Sequence, residues 1–189
     1  LLDMEKLVAG KMHFDLKLQP LAPLLKNSIE TNQIYGAKRN VTIVLTDESP
    51  DIKVRVDSHR FMQVLSNLFS NAIKYSPENS NVDLSITSTK RRIKISIKDY
   101  GPGIPQEFHQ KIFQKFAQAD SSDTRKVGGT GLGLAITREI IERMNGHVGF
   151  DSEESQGARF YFELPCLDDS YTQTADHSTS KVSDDKLNK

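Results

Sequence analysis

The most informative segment of the sequence is Asp57-Ser-His-Arg-Phe-Met-Gln-Val-Leu-Ser-Asn-Leu-Phe-Ser-Asn-Ala-Ile-Lys-Tyr-Ser-Pro77. At about 100° per residue, its apolar side chains fall on one broad face of a helix. They are Phe61, Leu65, Leu68, Phe69, Ala72 and Ile73. Asp57 can cap the start of this helix, and Pro77 ends it. The pattern therefore predicts a long amphipathic helix from residue 58 to about residue 75, with one face in a core.

The polar face of the same helix carries amide and ammonium groups in a row. Arg60, Gln63, Asn67, Asn71 and Lys74 fall within an arc of about 80°. An amide oxygen can be a ligand of a hard cation, and a lysine can meet a phosphate. A solvated face is the commoner meaning of such a stripe. Asparagine is a poor helix former, however, so two asparagines within one helix favour a functional role.

A carboxylate followed by glycines lies at the end of a predicted strand, in Asp99-Tyr-Gly-Pro-Gly-Ile-Pro105. Glycines let a flat ligand approach the backbone closely, and a carboxylate there can accept a hydrogen bond from an exocyclic amino group. An aspartate that begins a Pro-Gly turn is the alternative interpretation. The segment is consistent with a binding site but does not define one alone.

A second glycine-rich segment, Gly128-Gly-Thr-Gly-Leu-Gly133, opens directly into a predicted helix. Its amides and the positive end of the helix favour a phosphate. The segment is not a P-loop, because Leu134 and Ala135 stand where that motif needs Lys and Ser or Thr, and it is not G-x-G-x-x-G. A flexible turn is the alternative. Arg125 and Lys126 precede the glycines and could sense a terminal phosphate.

Periodic runs on both sides of the long helix predict strands and two further helices. The strands cover 14–18, 41–45, 53–56, 82–87, 93–97, 148–150 and 159–164, and the helices cover 20–36 and 131–145. Strands 82–87 and 93–97 are typical of a hairpin in an antiparallel or mixed sheet. Between residues 99 and 130 only one short helix is expected, around 106–116. Connections of this length are usually functional or disordered.

The composition excludes several classes of protein. With 25 Lys and Arg against 25 Asp and Glu, the net charge is zero, so no overall field draws the chain to nucleic acid or an anionic membrane. No run reaches the roughly 18 apolar residues of a membrane span. The single Cys166 excludes an internal disulfide framework. These features indicate a soluble protein of a reducing compartment, with a cytoplasmic location as the expectation.

Taken in order, these segments resemble the ATP-binding catalytic domain of two-component sensor histidine kinases, in the Bergerat-fold superfamily shared with gyrase and MutL. The N box resembles residues 57–77, the first glycine box 99–103, the F box 113–116 and the second glycine box 129–133. The resemblance implies an α+β fold. This would be a two-layer α/β sandwich whose mixed, mostly antiparallel sheet has helices on one face and a long ATP lid at about 102–127.

The resemblance also implies a set of ligand contacts with ATP and Mg²⁺. Asn71 would coordinate Mg²⁺ between the phosphates, Lys74 would contact phosphate oxygens, and Asp99 would bond to the adenine amino group. The other cofactor-binding residues implied in this way are Tyr75, Gly101, Gly103, Ile104, Phe116, Arg125, Lys126, Gly129, Thr130, Gly131, Leu132 and Gly133.

Within that set the implied roles differ. Gly101 and Gly103 would let the base approach the backbone, and residues 129–133 would hold phosphate through backbone amides. Arg125 or Lys126 would reach the γ-phosphate.

Position 67 bears on the type of reaction. In the ATPases of this superfamily the matching position is a glutamate that activates water, and Asn67 cannot act as a carboxylate base. Phosphoryl transfer to a histidine relies instead on positioning, Mg²⁺ and charge neutralisation. The resemblance therefore implies a protein-histidine kinase of phosphorelay signal transduction, a transferase with Asn67 and Lys74 as catalytic residues. A nucleotide-binding regulatory module without transfer, and an ATPase of the gyrase type, remain alternatives.

The resemblance divides the chain into three parts. Residues 1–12 resemble the end of the second helix of a dimerising, phosphoaccepting hairpin, residues 13–165 the catalytic ATP-binding domain, and residues 166–189 a flexible linker or tail. The accepting histidine is expected on a separate hairpin, so this fragment should be a monomer and the full protein a homodimer. A response regulator or receiver domain is the expected partner. The full-length protein is expected to be anchored in the inner membrane.

Overall fold

The computed structural model describes residues 13–46, 51–89, 91–117 and 130–168. Within them lie three helices, α1 (Leu21–Ala37), α2 (Ser58–Tyr75) and α3 (Gly133–Arg143), and a 3-10 turn at Gln106–Phe108. The strands are β1 (Lys17–Pro20), β2 (Thr42–Leu45), β3 (Ile52–Val56), β4 (Asn81–Ser88), β5 (Arg92–Lys98), β6 (His147–Ser152) and β7 (Ala158–Asp168).

The seven strands form one mixed sheet in the order β1-β3-β7-β5-β4-β2, with β6 beside β7. Every pairing is antiparallel except that of β2 with β4, which is parallel. Strand β7 is long enough to pair with β5 along most of its length, with β6 near its start and with β3 near its end. The predicted mixed, mostly antiparallel sheet is therefore confirmed.

Helix α2 has the bounds and the buried face that its sequence predicts. The Asp57 carboxylate accepts a hydrogen bond from the backbone N–H of Arg60 at 3.1 Å, and its other oxygen accepts one from the N–H of Asp15 at 3.0 Å. All six predicted apolar residues are at most 2% exposed, as is Val64. The N-cap and the apolar face thus fix both the start of the helix and its orientation on the sheet.

The helices cover one face of the sheet. Strand β5 directs Ile93, Ile95 and Ile97 into the core, and β7 directs alternate residues of its own to the same side, including Phe162. Phe61 of α2 meets the Phe162 ring edge-on, with 5.8 Å between ring centroids. Since successive strand residues face opposite ways, the polar residues between these positions line the uncovered face.

Strand β2 is an edge strand whose outer backbone groups are covered by a side chain. The Gln33 amide oxygen accepts a hydrogen bond from the N–H of Ile43 at 2.7 Å, and its NH₂ group donates to the carbonyl of Val41 at 3.0 Å. Thr42, whose backbone faces the other way, donates to Ser80 on the β4 side. The side chain of Gln33 thus pairs with backbone groups of Val41 and Ile43 that would otherwise be open to pairing with another strand.

Some sequence predictions were wrong in detail. The helix expected around 106–116 is a three-residue 3-10 turn followed by further turns, because tertiary contacts of Ile112 and Phe113 rather than helical periodicity hold this segment. The strand expected at 14–18 begins only at Lys17. The helix expected at 131–145 covers Gly133–Arg143, and Asn145 beyond its end takes the left-handed conformation, with φ of 59°. Residues 1–12 and most of 166–189 lie outside the described residues.

Candidate functional site

Asp99 follows β5 directly and is 4% exposed. One carboxylate oxygen, Oδ1, accepts hydrogen bonds from the backbone N–H of Gly101 at 2.9 Å and of Ala158 at 3.2 Å. Burial raises the pKa of Asp99, against the opposing effects of backbone hydrogen bonds and of the Lys98 charge. No other described residue donates to the second oxygen, Oδ2. Asp99 therefore combines a fixed orientation with one acceptor oxygen left for a ligand.

Gly101 joins the Asp99 turn to the end of α2. A Cβ at position 101 would lie 2.3 Å from the carbonyl oxygen of Tyr75, so only glycine fits. Gly103 has φ of +76°, and a Cβ there would lie 2.2 Å from the carbonyl oxygen of Glu153. Contacts of the chain with itself thus require both glycines. The approach of a base to them stays a prediction.

The polar face of α2 leads from this turn toward α3. Asn67, Asn71 and Lys74 are half-buried and lie on successive turns of the helix. The Lys74 ammonium nitrogen lies 4.8 Å from the ring centroid of Tyr75, whose side chain is 38% exposed. No hydrogen bond joins the Asn71 side chain to another described residue. Its predicted role as a ligand of Mg²⁺ stays a prediction.

The start of α3 contacts α2 through Asn67. The Asn67 NH₂ group donates to the carbonyl oxygen of Gly133 at 3.1 Å and to the Thr137 hydroxyl at 3.4 Å. Leu132 precedes the helix and provides no side-chain cap. The first N–H groups of a helix have no partner within it, so those of α3 are left for an anion.

Phe116 and Gly131 meet although they precede and follow residues 118–129, which lie outside the described part of the chain. The Phe116 N–H donates to the Gly131 carbonyl at 2.9 Å, and both residues have positive φ, 61° and 67°. The Phe116 side chain is 68% exposed. Phe113, by contrast, packs against Phe150 and Phe160, with ring centroids 6.0 and 6.3 Å apart. One aromatic residue of the F box therefore anchors the segment, and the other projects into solvent.

The contacts link most of the predicted site residues into one continuous region. Asp99 leads through Gly101 to Tyr75 on α2, and Asn67 on α2 leads to Gly133 on α3. Ile104 lies to one side, where its N–H donates to Ser152 at 2.9 Å. Arg125, Lys126 and Gly129 lie outside the described residues, and Thr130 is exposed at their border.

Two parts of this arrangement were not found from the sequence. The Ala158 N–H is a backbone group 59 residues from Asp99, so no side-chain pattern marks it. Thr137 did carry a signal, because it is a polar residue one turn after Gly133 in an otherwise apolar stretch of helix.

A cleft of about 540 Å³ lies beside β6, where Phe150, Ser152 and Ala158 are among its lining residues. None of the predicted site residues lines it. It adjoins the Asp99 turn, because the Ala158 N–H donates to Asp99 and Ser152 accepts from the N–H of Ile104.

Comparisons with known proteins identify the family of this chain. The chain belongs to the histidine kinase-, DNA gyrase B- and HSP90-like ATPase family, whose model matches residues 56–168. Within that family, its similarity is to histidine kinases. It is 35% identical over 170 residues to the signal transduction histidine-protein kinase BarA of Escherichia coli K12, covering 86% of this chain and 18% of BarA.

Two further relatives are also named as histidine kinases. The sensor histidine kinase WalK of Bacillus subtilis is 44% identical over 117 residues, covering 61% of this chain and 19% of WalK. Hybrid signal transduction histidine kinase D of Dictyostelium discoideum is 32% identical over 170 residues, covering 87% of this chain and 11% of that kinase. The chain spans about a fifth or less of the length of these curated relatives.

Solved structures show the same fold. The catalytic domain of histidine kinase ThkA, in a nucleotide-free form, has a TM-score of 0.68 and 31% identity, covering 80% of this chain and 97% of that one. Full-length ShkA in complex with AMPPNP has a TM-score of 0.72 and 31% identity, covering 88% and 34%. The predicted family, the Bergerat-type fold and the ATP-binding catalytic domain type are thereby confirmed. Among the described residues, no helix combines the length and apolar character needed to cross a membrane.

Proposed function

We propose that this chain is the ATP-binding catalytic domain of a sensor histidine kinase and that it transfers the γ-phosphoryl group of ATP to a histidine on a separate hairpin. The observation that carries this proposal is the buried Asp99 carboxylate. It keeps an acceptor oxygen, and Gly101 joins it to the helix that bears Asn71 and Lys74. The complex of ShkA with AMPPNP supports a nucleotide as the ligand.

Asp99 recognises the base in this proposal. Its Oδ1 is engaged by two backbone N–H groups, so Oδ2 has a fixed direction. An ionised Oδ2 accepts a hydrogen bond from an exocyclic amino group such as that of adenine. Guanine presents a carbonyl oxygen at the matching position, which a carboxylate repels. This arrangement favours ATP over GTP.

The phosphates are held between α2 and α3. The uncapped amides at the start of α3 and the Lys74 ammonium provide positive charge on two sides. We assign Mg²⁺ to the Asn71 amide oxygen, which accepts no hydrogen bond from a described residue, together with phosphate oxygens. Mg²⁺ would neutralise charge on the phosphates and aid departure of ADP.

Four predicted residues complete the site in this proposal. Arg125, Lys126, Gly129 and Thr130 belong to the same phosphate-binding segment of the sequence. The two cations would lie near the γ-phosphate. Their roles stay predictions.

The reaction forms a bond from an imidazole nitrogen to the γ-phosphorus as the bond to the bridging oxygen of ADP breaks. The imidazole is already a nucleophile, so the domain need not supply a strong base. Asn67 fits this reaction better than hydrolysis. Its side chain has no carboxylate that could accept a proton from water, and its NH₂ group donates to the Gly133 carbonyl. These features disfavour an ATPase of the gyrase type.

The partners follow from the same proposal. They are a hairpin with the accepting histidine, in a full protein that is a homodimer, and a receiver domain or response regulator that takes the phosphoryl group. The domain division at residues 12 and 165, the cytoplasmic location and the anchoring of the full-length protein in the inner membrane stay predictions.

A transfer assay tests the proposed function. The chain, Mg²⁺ and ATP labelled at the γ-phosphate are incubated with a dimerising hairpin fragment from a related kinase, with its histidine intact or replaced by glutamine. We expect acid-labile, alkali-stable label on the intact hairpin only. Label on neither hairpin from a chain that binds ATP would favour the regulatory module without transfer. Rapid phosphate release without any hairpin would favour the ATPase.

A further inference from the structure

We infer that Thr137 and Asn67 form a clamp, the Asn67–Thr137 clamp, which positions the first turn of α3 against α2. Thr137 is then a positioning residue for phosphate binding that lies outside all four sequence motifs. This inference rests on the proposed function, because it assigns roles within the same site.

The orientation of the Asn67 amide is fixed by chemistry. A carbonyl oxygen can only accept a hydrogen bond, so the NH₂ group of Asn67 must face Gly133. The second hydrogen of this group is directed to the Thr137 hydroxyl at 3.4 Å. Both donors of one side chain are therefore used on α3, and the amide oxygen faces away from these two bonds.

Thr137 gives the clamp its second point of contact. Its side chain is fully buried, with an exposed fraction of 0%. A buried hydroxyl needs a partner, and within the described residues that partner is Asn67. Gly133 and Thr137 lie one turn apart on α3. Asn67 therefore holds a complete turn rather than a single residue.

The clamped turn is the one that presents the free amides. Leu132 gives α3 no side-chain cap, so no capping side chain occupies the first N–H groups of the helix. Asn67 lies one turn before Asn71 on the same face of α2. The clamp therefore sets the distance between the α3 amides and the two polar residues of α2, Asn71 and Lys74.

The clamp also explains why the residue at position 67 is an amide. A carboxylate there would direct an oxygen at the Gly133 carbonyl oxygen, and both groups would be acceptors. An alanine would leave the Thr137 hydroxyl buried without a partner. The NH₂ group of an amide, which has two donors, bonds to both of these groups.

Calorimetric titration of the full chain with ATP, ADP and adenosine tests this inference. The variants are Asn67→Ala, Thr137→Val and Thr137→Ser, with Arg138→Gln as a surface control on the same helix. We expect ATP and ADP to bind roughly tenfold more weakly to Asn67→Ala and about threefold more weakly to Thr137→Val, with recovery in Thr137→Ser. Adenosine, which has no phosphate, should bind all variants equally. Unchanged ATP binding in both Asn67→Ala and Thr137→Val would overturn the clamp, as would equal losses for adenosine.

A measurement without nucleotide separates this inference from the proposed function. If the unaltered chain binds no ATP, the proposed function fails, but the clamp can still be measured by amide hydrogen exchange. The N–H of Thr137 should exchange several times faster in Asn67→Ala than in the unaltered chain, relative to that of Ile140 on the same helix. Equal relative rates in the two proteins would overturn the clamp whatever the ligand.

Discussion

At the scale of single residues, the proposed function links the burial of Asp99 to recognition of the nucleotide base. Its fixed oxygen accepts two backbone N–H groups that come from different parts of the chain. The carboxylate could be predicted from the sequence, because it follows a strand and precedes two glycines. Its geometry could not be predicted, since Ala158 is distant in sequence and contributes only backbone.

The raised pKa of Asp99 predicts how nucleotide binding depends on pH. Because burial raises it above the ordinary value of 3.8, Oδ2 takes up a proton at a pH where an exposed aspartate is still ionised. A protonated Oδ2 is a donor and opposes the adenine amino group. ATP affinity should therefore fall as the pH falls through this raised pKa, and titrations at a series of pH values measure it.

The raised pKa of Asp99 also affects the free energy of unfolding, which changes with pH in the opposite direction to ATP affinity. The folded chain holds this proton more tightly than the unfolded chain, so the contribution of Asp99 to the free energy of unfolding grows as the pH falls and is lost as the pH rises through the folded pKa. Loss of binding in acid would thus not reflect unfolding caused by Asp99. A pH profile identical in Asp99→Asn would contradict this explanation.

The assignment of Mg²⁺ to Asn71 predicts a loss of the Mg²⁺ dependence of ATP binding. Asn71→Ala removes the one amide oxygen assigned to Mg²⁺, so ATP affinity should no longer respond to Mg²⁺ and should fall at least about tenfold in its presence. Gln63→Ala, on the same face of α2, is the matched control. Titrations with Mg²⁺ and with EDTA give the comparison, and a Mg²⁺ response retained in Asn71→Ala would remove Asn71 from the site.

At the scale of elements, the sequence predicts α2 far better than the segment after Asp99. In α2 the cap, the apolar period and the closing proline all agree, and the observed helix, Ser58–Tyr75, has the predicted bounds. Between Pro105 and Phe116 the apolar residues have helical spacings, but they pack against distant strands instead of forming one face of a helix. Phe113 packs on Phe150 and Phe160, which belong to strands far along the chain.

Gln33 predicts a property of the β2 edge. Gln33→Ala leaves the N–H of Ile43 and the carbonyl of Val41 without their partner. The free energy of unfolding should fall by about 1–3 kcal/mol, and association through the open edge should rise. Urea unfolding and light scattering measure the two effects.

Gln33→Glu is the matched control for that experiment. It keeps an acceptor for Ile43 but directs a carboxylate oxygen at the Val41 carbonyl oxygen, so its free energy of unfolding should also lie below that of the unaltered chain. Gln33→Ala as stable and as dispersed as the unaltered chain would show that the side chain does not protect this edge.

At the scale of the whole molecule, the fold gathers site residues that are far apart in sequence. The N box, the first glycine box and the second glycine box meet because the end of α2 touches the Asp99 turn while its middle touches α3. The order of motifs was enough to predict this family. The contacts between motifs, such as that of Asn67 with Thr137, depend on how α2 and α3 pack and required the structure.

The oligomeric state also belongs to this scale. The hairpin that would form the dimer is assigned to a region outside residues 13–165, so we expect the chain to sediment as a species of 21.3 kDa. Sedimentation equilibrium at several concentrations, with and without ATP, measures the mass. A species of twice this mass would mean that the catalytic domain carries a dimer interface of its own.

The most direct test of the central claim is calorimetric titration of the chain with ATP and Mg²⁺, beside the variant Asp99→Asn. Asparagine keeps the oxygen that accepts from Gly101 and Ala158, so the fold is kept. It places an NH₂ group where Oδ2 was, and this donor would face the amino group of adenine, which is also a donor. Asp151→Asn, an exposed position on β6, is the matched control. The account predicts one ATP per chain, affinity weakened roughly a hundredfold in Asp99→Asn, and no change in Asp151→Asn. Equal ATP affinity in all three proteins would contradict it.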